Sequence, residues 1–222
     1  MKKIIVTIVS GLFLFSTSAF AELGVNIGVS GSAGIFGATA KETLSSDSGA
    51  RAGNTASDTE IAAVGWASVF LEKEFGMISV GVDYVASPFS SDRVETQKYD
   101  KRTDDVETVT ASVNEVQVDL DDMYSVYLAL NITDNSYIKA GITSVDVITN
   151  ETMGTGASYG NTSLDGTLVG VGINHDLSNG FFVRAEGVYI AFDGVSLTSG
   201  DNTINLKSLD GVNGTVSIGK SF

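Results

Sequence analysis

The chain has 222 residues, 27 acidic against 13 basic, and a formal net charge of −14, with one proline, 25 glycines and no cysteine. This acidity excludes a nucleic-acid partner, because phosphates would repel the chain, and the lack of cysteine excludes disulfides and thiolate chemistry. Proline cannot donate to a strand ladder, so its near-absence suits a chain that is mostly β-sheet.

The first segment, residues 1–21, has the pattern of a secretory signal peptide. Two lysines precede an apolar run at 4–15, and an A-x-A motif closes the segment at 19–21. The run is short for a membrane-spanning helix, which needs ~20 residues. We predict cleavage after residue 21, with residues 22–222 forming one mature domain.

Beyond this segment, apolar side chains recur at every second position in eight runs, as in strands with two different faces. The runs lie at 23–32, 61–71, 78–84, 116–132, 138–143, 169–174, 181–189 and 212–222. The run at 116–132 is the longest, and only Asp122 interrupts its apolar row. The run at 61–71 is apolar on both faces, so its register stays open.

The connections between the runs alternate in length. Short turns are predicted at 72–77, 133–136 and 175–180, and long polar links at about 40–60, 87–115, 149–165 and 193–209. Short turns at one end and long loops at the other are typical of outer-membrane barrels. We therefore predict an all-β fold, an eight-stranded antiparallel up-and-down transmembrane β-barrel. A ten-stranded barrel stays open if 90–115 inserts a hairpin.

The two faces of the runs differ in size and polarity. Small and polar residues suit the narrow interior of an eight-stranded barrel, and the apolar face suits lipid. The prediction is tested by seven positions: Val126, Leu128, Val171 and Ile218 should face outward, and Ser125, Asn174 and Ser217 inward.

The signal peptide, the eight runs, the stretch "FFVRAEGVYIAFDGV" and a last strand carrying Val216, Ile218 and Phe222 resemble the OmpA/OmpX-type (opacity-like) outer-membrane β-barrel family. The resemblance covers residues 22–222. It implies a place in the Gram-negative outer membrane, contact with outer-membrane lipid and lipopolysaccharide, and insertion by the barrel-assembly machinery, with those three residues as the terminal signal. Lys220 departs from the family pattern, which often has an aromatic or apolar residue there.

Four charged residues fall on the polar face: Asp83, Lys139, Arg184 and Glu186. Unpaired charges in a narrow lumen are costly, so we expect these four to pair across it. Such a network would either plug the lumen and fix the register of the strands or act as a switchable charge gate.

Three functions remain open from the sequence. The first is a non-enzymatic structural or surface-interaction (adhesin-like) role through the extracellular loops, since the charged segment 90–110 could present a strand edge to another protein. The second is a narrow porin-like diffusion channel. The third is a lipid-modifying enzyme based on His175, which lacks a recognisable nucleophile motif. No cofactor or metal is predicted, because no calcium-loop or phosphate-loop spacing occurs. The extracellular partner is not identified.

Overall fold

The computed structural model describes residues 24–43, 55–85, 89–90, 94–100, 110–153, 160–199 and 202–222. Its strands are β1 (Val25–Thr43), β2 (Thr55–Phe75), β3 (Ile78–Val85), β4 (Phe89–Ser90), β5 (Val94–Asp100), β6 (Thr110–Thr133), β7 (Ser136–Met153), β8 (Thr162–Asp176), β9 (Phe181–Phe192), β10 (Val195–Ser199) and β11 (Asn202–Ser221). A 3₁₀ turn occupies Ser178–Gly180. The predicted signal peptide lies outside the described residues. Within these residues no helix has the length and apolarity needed to cross a membrane.

Antiparallel pairing closes the sheet into a barrel, because β1 pairs with β2 on one side and with β11 on the other. β4 and β5 pair with β6 and thereby prolong β3, while β10 pairs with β11 and prolongs β9. The barrel wall therefore has eight strands, as predicted. The ten-stranded alternative is wrong, because β5 and the start of β6 extend an existing ladder instead of inserting a new hairpin into the wall.

The strands are staggered around the barrel. The stagger can be measured by passing from each residue to the one directly opposite it on the next strand. Starting at Asn26 on β1, this path passes through Glu72, Gly81, Tyr127, Gly141, Leu168, Ile190 and Gly211 and ends at Phe36 on β1. The circuit thus returns to β1 ten positions further along, from 26 to 36. Such a stagger accompanies strands tilted by roughly 35–45°, and an eight-stranded barrel of this kind is just wide enough for side chains to fill.

The two ends of the barrel differ. The short turns at 76–77, 134–135 and 177–180 lie at the end that holds both termini of the described chain, where the backbone N–H of Val25 donates to Phe222 at 3.1 Å. Gly76 has φ +67, a left-handed conformation that glycine adopts without strain. We call this end the terminal end and the opposite one the hairpin end.

The predicted orientation of the two faces is confirmed. Leu128 and Val171 are 56% and 62% exposed on the outside, and Val126 and Ile218 are also exposed. Ser125 and Ser217 are buried inside, and Asn174 is half-buried. The open register at 61–71 is resolved as well, because Ser68 and Phe70 are buried while Leu71 is exposed.

The long polar links were predicted too broadly. Much of 40–60, 149–165 and 193–209 is strand, and hairpin arms 94–100 and 110–116 pair with each other inside the link predicted at 87–115. Beyond a membrane both faces of a strand can meet water, so polar strands lose the apolar alternation that marks them in a sequence.

The apolar residues of the run at 116–132 do not all lie on one face of the sheet. Asp122 has φ +47, and the β6–β7 register shifts between Asp121 and Tyr124. This β-bulge places Leu120 against the interior, whereas Tyr124 is 53% exposed outside. The residue that interrupts the pattern in the sequence is therefore the point at which the strand reverses its faces.

Candidate functional site: the barrel lumen

The lumen near the terminal end is crossed by a buried ion pair between β9 and β2. The Arg184 Nη1 and Nη2 atoms donate to Oε1 and Oε2 of Glu72 at 2.9 and 2.7 Å. The two side chains are 8% and 2% exposed. This fork-to-fork geometry is the strongest arrangement that an arginine and a carboxylate can form.

Aromatic rings surround the same guanidinium group. Its carbon lies 5.2 Å from the ring centroids of Phe70, Tyr137 and Phe182. Phe182 is among the most deeply buried side chains of the described chain. Rings at this distance attract the cation, and the attraction strengthens when water is excluded. Arg184 is thus held by charge and by packing together.

A second ion pair lies beside the first. Lys139 on β7 contacts Glu186 on β9, with Nζ and Oε1 2.7 Å apart, and the Tyr137 hydroxyl donates to the same oxygen at 2.6 Å. The Tyr127 hydroxyl donates to Glu72 at 3.1 Å and its ring lies 4.8 Å from the Lys139 ammonium. The two pairs are therefore joined through tyrosines into one network.

Asp83 belongs to this layer without a cation of its own. Its carboxylate accepts a hydrogen bond from the Ser68 hydroxyl at 2.9 Å. No ion pair joins it to a lysine or arginine in the part of the chain that the structure describes. We call Glu72, Asp83, Tyr127, Tyr137, Lys139, Arg184 and Glu186 together the polar layer.

The polar layer contains the four predicted charged residues, and three further members were missed. The most important of these is Glu72, which the sequence analysis assigned to a short turn. β2 continues through Phe75, so Glu72 points into the lumen, as Ser68 and Phe70 do. Because the run at 61–71 is apolar on both faces, the two-residue period could not show from the sequence that Glu72 points into the lumen. Tyr127 and Tyr137 also sit on inward positions, but their roles depend on contacts that a period does not reveal.

Above the polar layer, toward the hairpin end, the lumen is filled by apolar side chains. The buried cluster comprises Phe36, Val85, Met123, Tyr127, Val145, Leu164, Leu168, Val188, Ile190 and Phe192. Phe36 also contacts the ring of Trp66, with centroids 6.0 Å apart. The expectation that small and polar residues dominate the whole interior is therefore wrong at this end, where apolar residues occupy both faces of β8 and β9. We call this cluster the apolar layer.

The apolar layer continues into strands that extend beyond the belt of exposed apolar residues. Val147, Val195, Leu120, Leu206 and Leu209 pack against it from segments mostly predicted as loops. Cross-strand hydrogen bonds add to this packing, for example from Asn150 Nδ2 to Asp119 at 2.5 Å and from the Ser163 hydroxyl to Asp146 at 2.7 Å. We call residues 38–43, 55–60, 119–122, 146–149, 195–198 and 203–210 the hairpin platform.

The remaining predicted residues lie on the outside or in turns. Val216 and Ile218 are 67% and 45% exposed, and Phe222 is half-buried at the terminal end. The Lys220 ammonium lies 5.4 and 5.1 Å from the rings of Phe181 and Phe222. This contact gives Lys220 a position between the exposed apolar belt and water, as a snorkelling lysine takes.

The predicted catalytic candidate lies on the exposed surface. His175 is exposed at the end of β8, and its nearest charged neighbour in sequence, Asp176, accepts a hydrogen bond from Asn174 instead. No group of three or more His, Asp or Glu side chains within the described ranges is arranged to hold a metal ion. The chemistry that the lumen does support is electrostatic: buried charges are paired, and the pairs connect strands that are not neighbours in the wall.

No family model and no curated protein matches the sequence. Among solved structures, the chain is similar to the outer membrane protein OprG from Pseudomonas aeruginosa, with 11% identity, a TM-score of 0.50, and coverage of 90% of this chain and 97% of that one. It is also similar to the outer membrane protease OmpT from Escherichia coli (9% identity, 93% and 99% coverage, TM-score 0.46) and to Neisserial surface protein A (10% identity, 86% and 97% coverage, TM-score 0.37). At such identity the OprG likeness supports the fold alone: the chain has the fold of the bacterial outer-membrane β-barrels.

Proposed function

We propose that the protein is a non-enzymatic barrel of the OmpA/OmpX type that resides in the outer membrane and displays the hairpin platform at the cell surface. Its role is structural or surface-interacting, and its lumen is a packed core. The observation that carries this proposal is the closure of the lumen at two successive levels, by the polar layer and by the apolar layer. A conducting pore needs a continuous wet path, and the paired charges at one level and the packed apolar side chains at the other argue against such a path.

The exterior supports the membrane placement. Aromatic side chains flank the exposed apolar belt, with Phe75 and Phe181 near the terminal end and Tyr84, Tyr124 and Tyr189 toward the hairpin end. Aromatic girdles of this kind mark the two interfaces of outer-membrane barrels, with short turns on the periplasmic side. The terminal end is then periplasmic and the hairpin end extracellular. Lipid and lipopolysaccharide surround the belt, and the assembly machinery reads the last strand through Val216, Ile218 and Phe222.

The platform is suited to surface contact because it is folded. Apolar residues such as Leu206 and Val147 anchor its strands to the apolar layer, so a partner would meet a preformed surface and lose less entropy on binding. Within the described chain, β5 pairs only with β6, and β10 only with β11. An unpaired strand edge can accept a strand from another protein. These edges are our candidates for an adhesin-like contact, with the partner still unidentified.

Location and display are tested together by fractionating cells and comparing gel mobility with and without boiling. We expect the protein in the outer-membrane fraction, with an unboiled band that migrates differently, because a closed barrel resists detergent until it is heated. A periplasmic protein without a mobility shift would contradict the proposal.

The non-enzymatic assignment has its own test. If the barrel modified lipid through His175, the His175→Ala variant would leave lipid A in a different chemical form from the wild type. We expect identical lipid A from both strains, and a difference would assign an enzymatic role.

A further inference from the structure

The polar layer has an uneven number of charges. It contains three carboxylates, Glu72, Asp83 and Glu186, and two cations, Lys139 and Arg184. Each cation is matched with one carboxylate, which leaves the Asp83 carboxylate with a single neutral donor, the Ser68 hydroxyl. An isolated ionised carboxylate is so costly to bury that it takes up a proton instead when the site allows it.

A second group in the lumen, the side-chain amide oxygen of Asn213, lacks a hydrogen-bond donor among the described residues. Asn213 on β11 is 8% exposed, and its Nδ2 donates to Thr215 Oγ1 at 3.0 Å. Its Oδ1 is buried and accepts no hydrogen bond from any residue that the structure describes. A buried acceptor left without a donor costs about 1–3 kcal/mol. The site lacks one donor, and a protonated carboxyl group is a donor.

The two groups face the same space. Asp83 and Asn213 both line an internal cavity of about 40 Å³, together with Lys139, Glu186, Ser125 and Thr215. A cavity needs ~10–15 Å³ to hold a water molecule, so this one has room for a water beside the two side chains. This cavity lies where the polar layer meets the apolar layer, since Leu168 and Ile190 line it as well.

We propose that Asp83 is a proton-binding site: it takes up a proton close to neutral pH and donates it as a hydrogen bond toward Asn213 Oδ1, directly or through one water. The proton makes the polar layer electrically neutral and satisfies the buried amide oxygen. The charged and titratable groups around it are Glu72 on β2, Tyr127 on β6, Lys139 and Tyr137 on β7, and Arg184 and Glu186 on β9. None of the cations among them is free, because each is already bound to a glutamate.

Infrared spectroscopy of the folded barrel between pH 8 and pH 5.5 tests the proposal directly. A protonated carboxyl group has a carbonyl stretch that is separate from the carboxylate and amide bands. We expect this band to grow in the wild type as the pH falls and to be absent in Asp83→Asn, with folding of each variant checked by its unboiled gel mobility. The band should also weaken in Glu186→Gln, because the Lys139 ammonium released from Glu186 can then pair with Asp83. A wild-type spectrum without the band would overturn the proposal, as would a band that survives in Asp83→Asn.

The hydrogen-bond partner is tested by Asn213→Leu. Removing the acceptor should shift the carboxyl band to higher frequency, because a free acid carbonyl absorbs above a hydrogen-bonded one. Ser221→Ala, an exposed position on the same strand, is the matched control and should leave the band in place. An unshifted band in Asn213→Leu would contradict the assigned partner. Should Asp83→Asn fail to fold, the wild-type and Glu186→Gln spectra still decide whether a protonated carboxyl is present.

Discussion

Arg184 and Glu72 are separated by 112 positions in the sequence and meet in the lumen through two hydrogen bonds of 2.9 and 2.7 Å. The pair joins β9 to β2 across the barrel, without any backbone pairing between these strands. It is therefore a tertiary connection between parts of the wall that β1 and β11 separate, and its removal affects more of the barrel than one hairpin.

The first prediction concerns this pair. Glu72→Gln leaves the Arg184 guanidinium buried without a counter-charge, and breaking a buried pair in this way costs about 3–5 kcal/mol of unfolding free energy. Urea unfolding in phospholipid vesicles measures the change. The double variant Glu72→Leu/Arg184→Met removes both charges and should recover most of the loss. A single variant as stable as the wild type would contradict the role assigned to the pair.

The second prediction concerns the space beside the polar layer. A side chain at Gly172 would collide with the Tyr137 ring, whereas one at Gly187 would enter open space on the exterior. Gly172→Val should displace the tyrosine that binds Glu186 and cost about 1–3 kcal/mol, as overpacking does. Gly187→Val is the matched control and should unfold at nearly the wild-type urea concentration. Equal effects of the two substitutions would show that the interior at Gly172 is not tightly filled.

The third prediction concerns the hairpin platform. Leu206→Asn removes an apolar anchor between the platform and the apolar layer, so the hairpin formed by β10 and β11 should open more often. Proteinase K applied to intact cells should cut this variant several-fold faster than the wild type, while the barrel keeps its unboiled gel mobility. Ser196→Asn, an exposed position on β10, provides the control. Cleavage at the control rate would mean that the platform does not depend on this contact.

The fourth prediction concerns the bulge at Asp122. Its φ of +47 lies in the left-handed region, where a non-glycine residue costs roughly 1–2 kcal/mol. The side chain also accepts a hydrogen bond from the Tyr84 hydroxyl. Asp122→Val loses this bond and adds a β-branched side chain at a strained position, so it should be less stable than Asp122→Gly in the same vesicle assay. The reverse order would contradict the bulge.

The sequence was sufficient for the architecture because lipid imposes a strict period of two on each strand. Leu128, Val171 and Ile218 could be assigned to the outside from their spacing alone. The same rule failed beyond the lipid, where the successive residues 59 and 60 of β2 are both exposed. It also failed at Asp122, because an interrupted apolar row does not by itself show that the strand reverses its faces there.

The lumen was only partly predictable. Asp83, Lys139, Arg184 and Glu186 could be placed inside by their phase, but the choice of partners depends on the stagger of the barrel. Glu72 can meet Arg184 only because the β1–β2, β1–β11 and β9–β11 registers fix how far β2 and β9 are displaced along the barrel. Apolar residues such as Ile190 were hidden for another reason: a strand that is apolar on both faces gives no signal for which face is inside.

The central claim is that the lumen is closed by side chains at two levels. Single-channel recording of the purified barrel in planar bilayers tests this claim most directly. We expect no stable conductance steps at moderate voltage, because the ion pairs of the polar layer and the apolar layer above it leave no continuous path for water. Stable, reproducible steps from the folded wild-type protein would contradict the claim and favour a narrow diffusion channel.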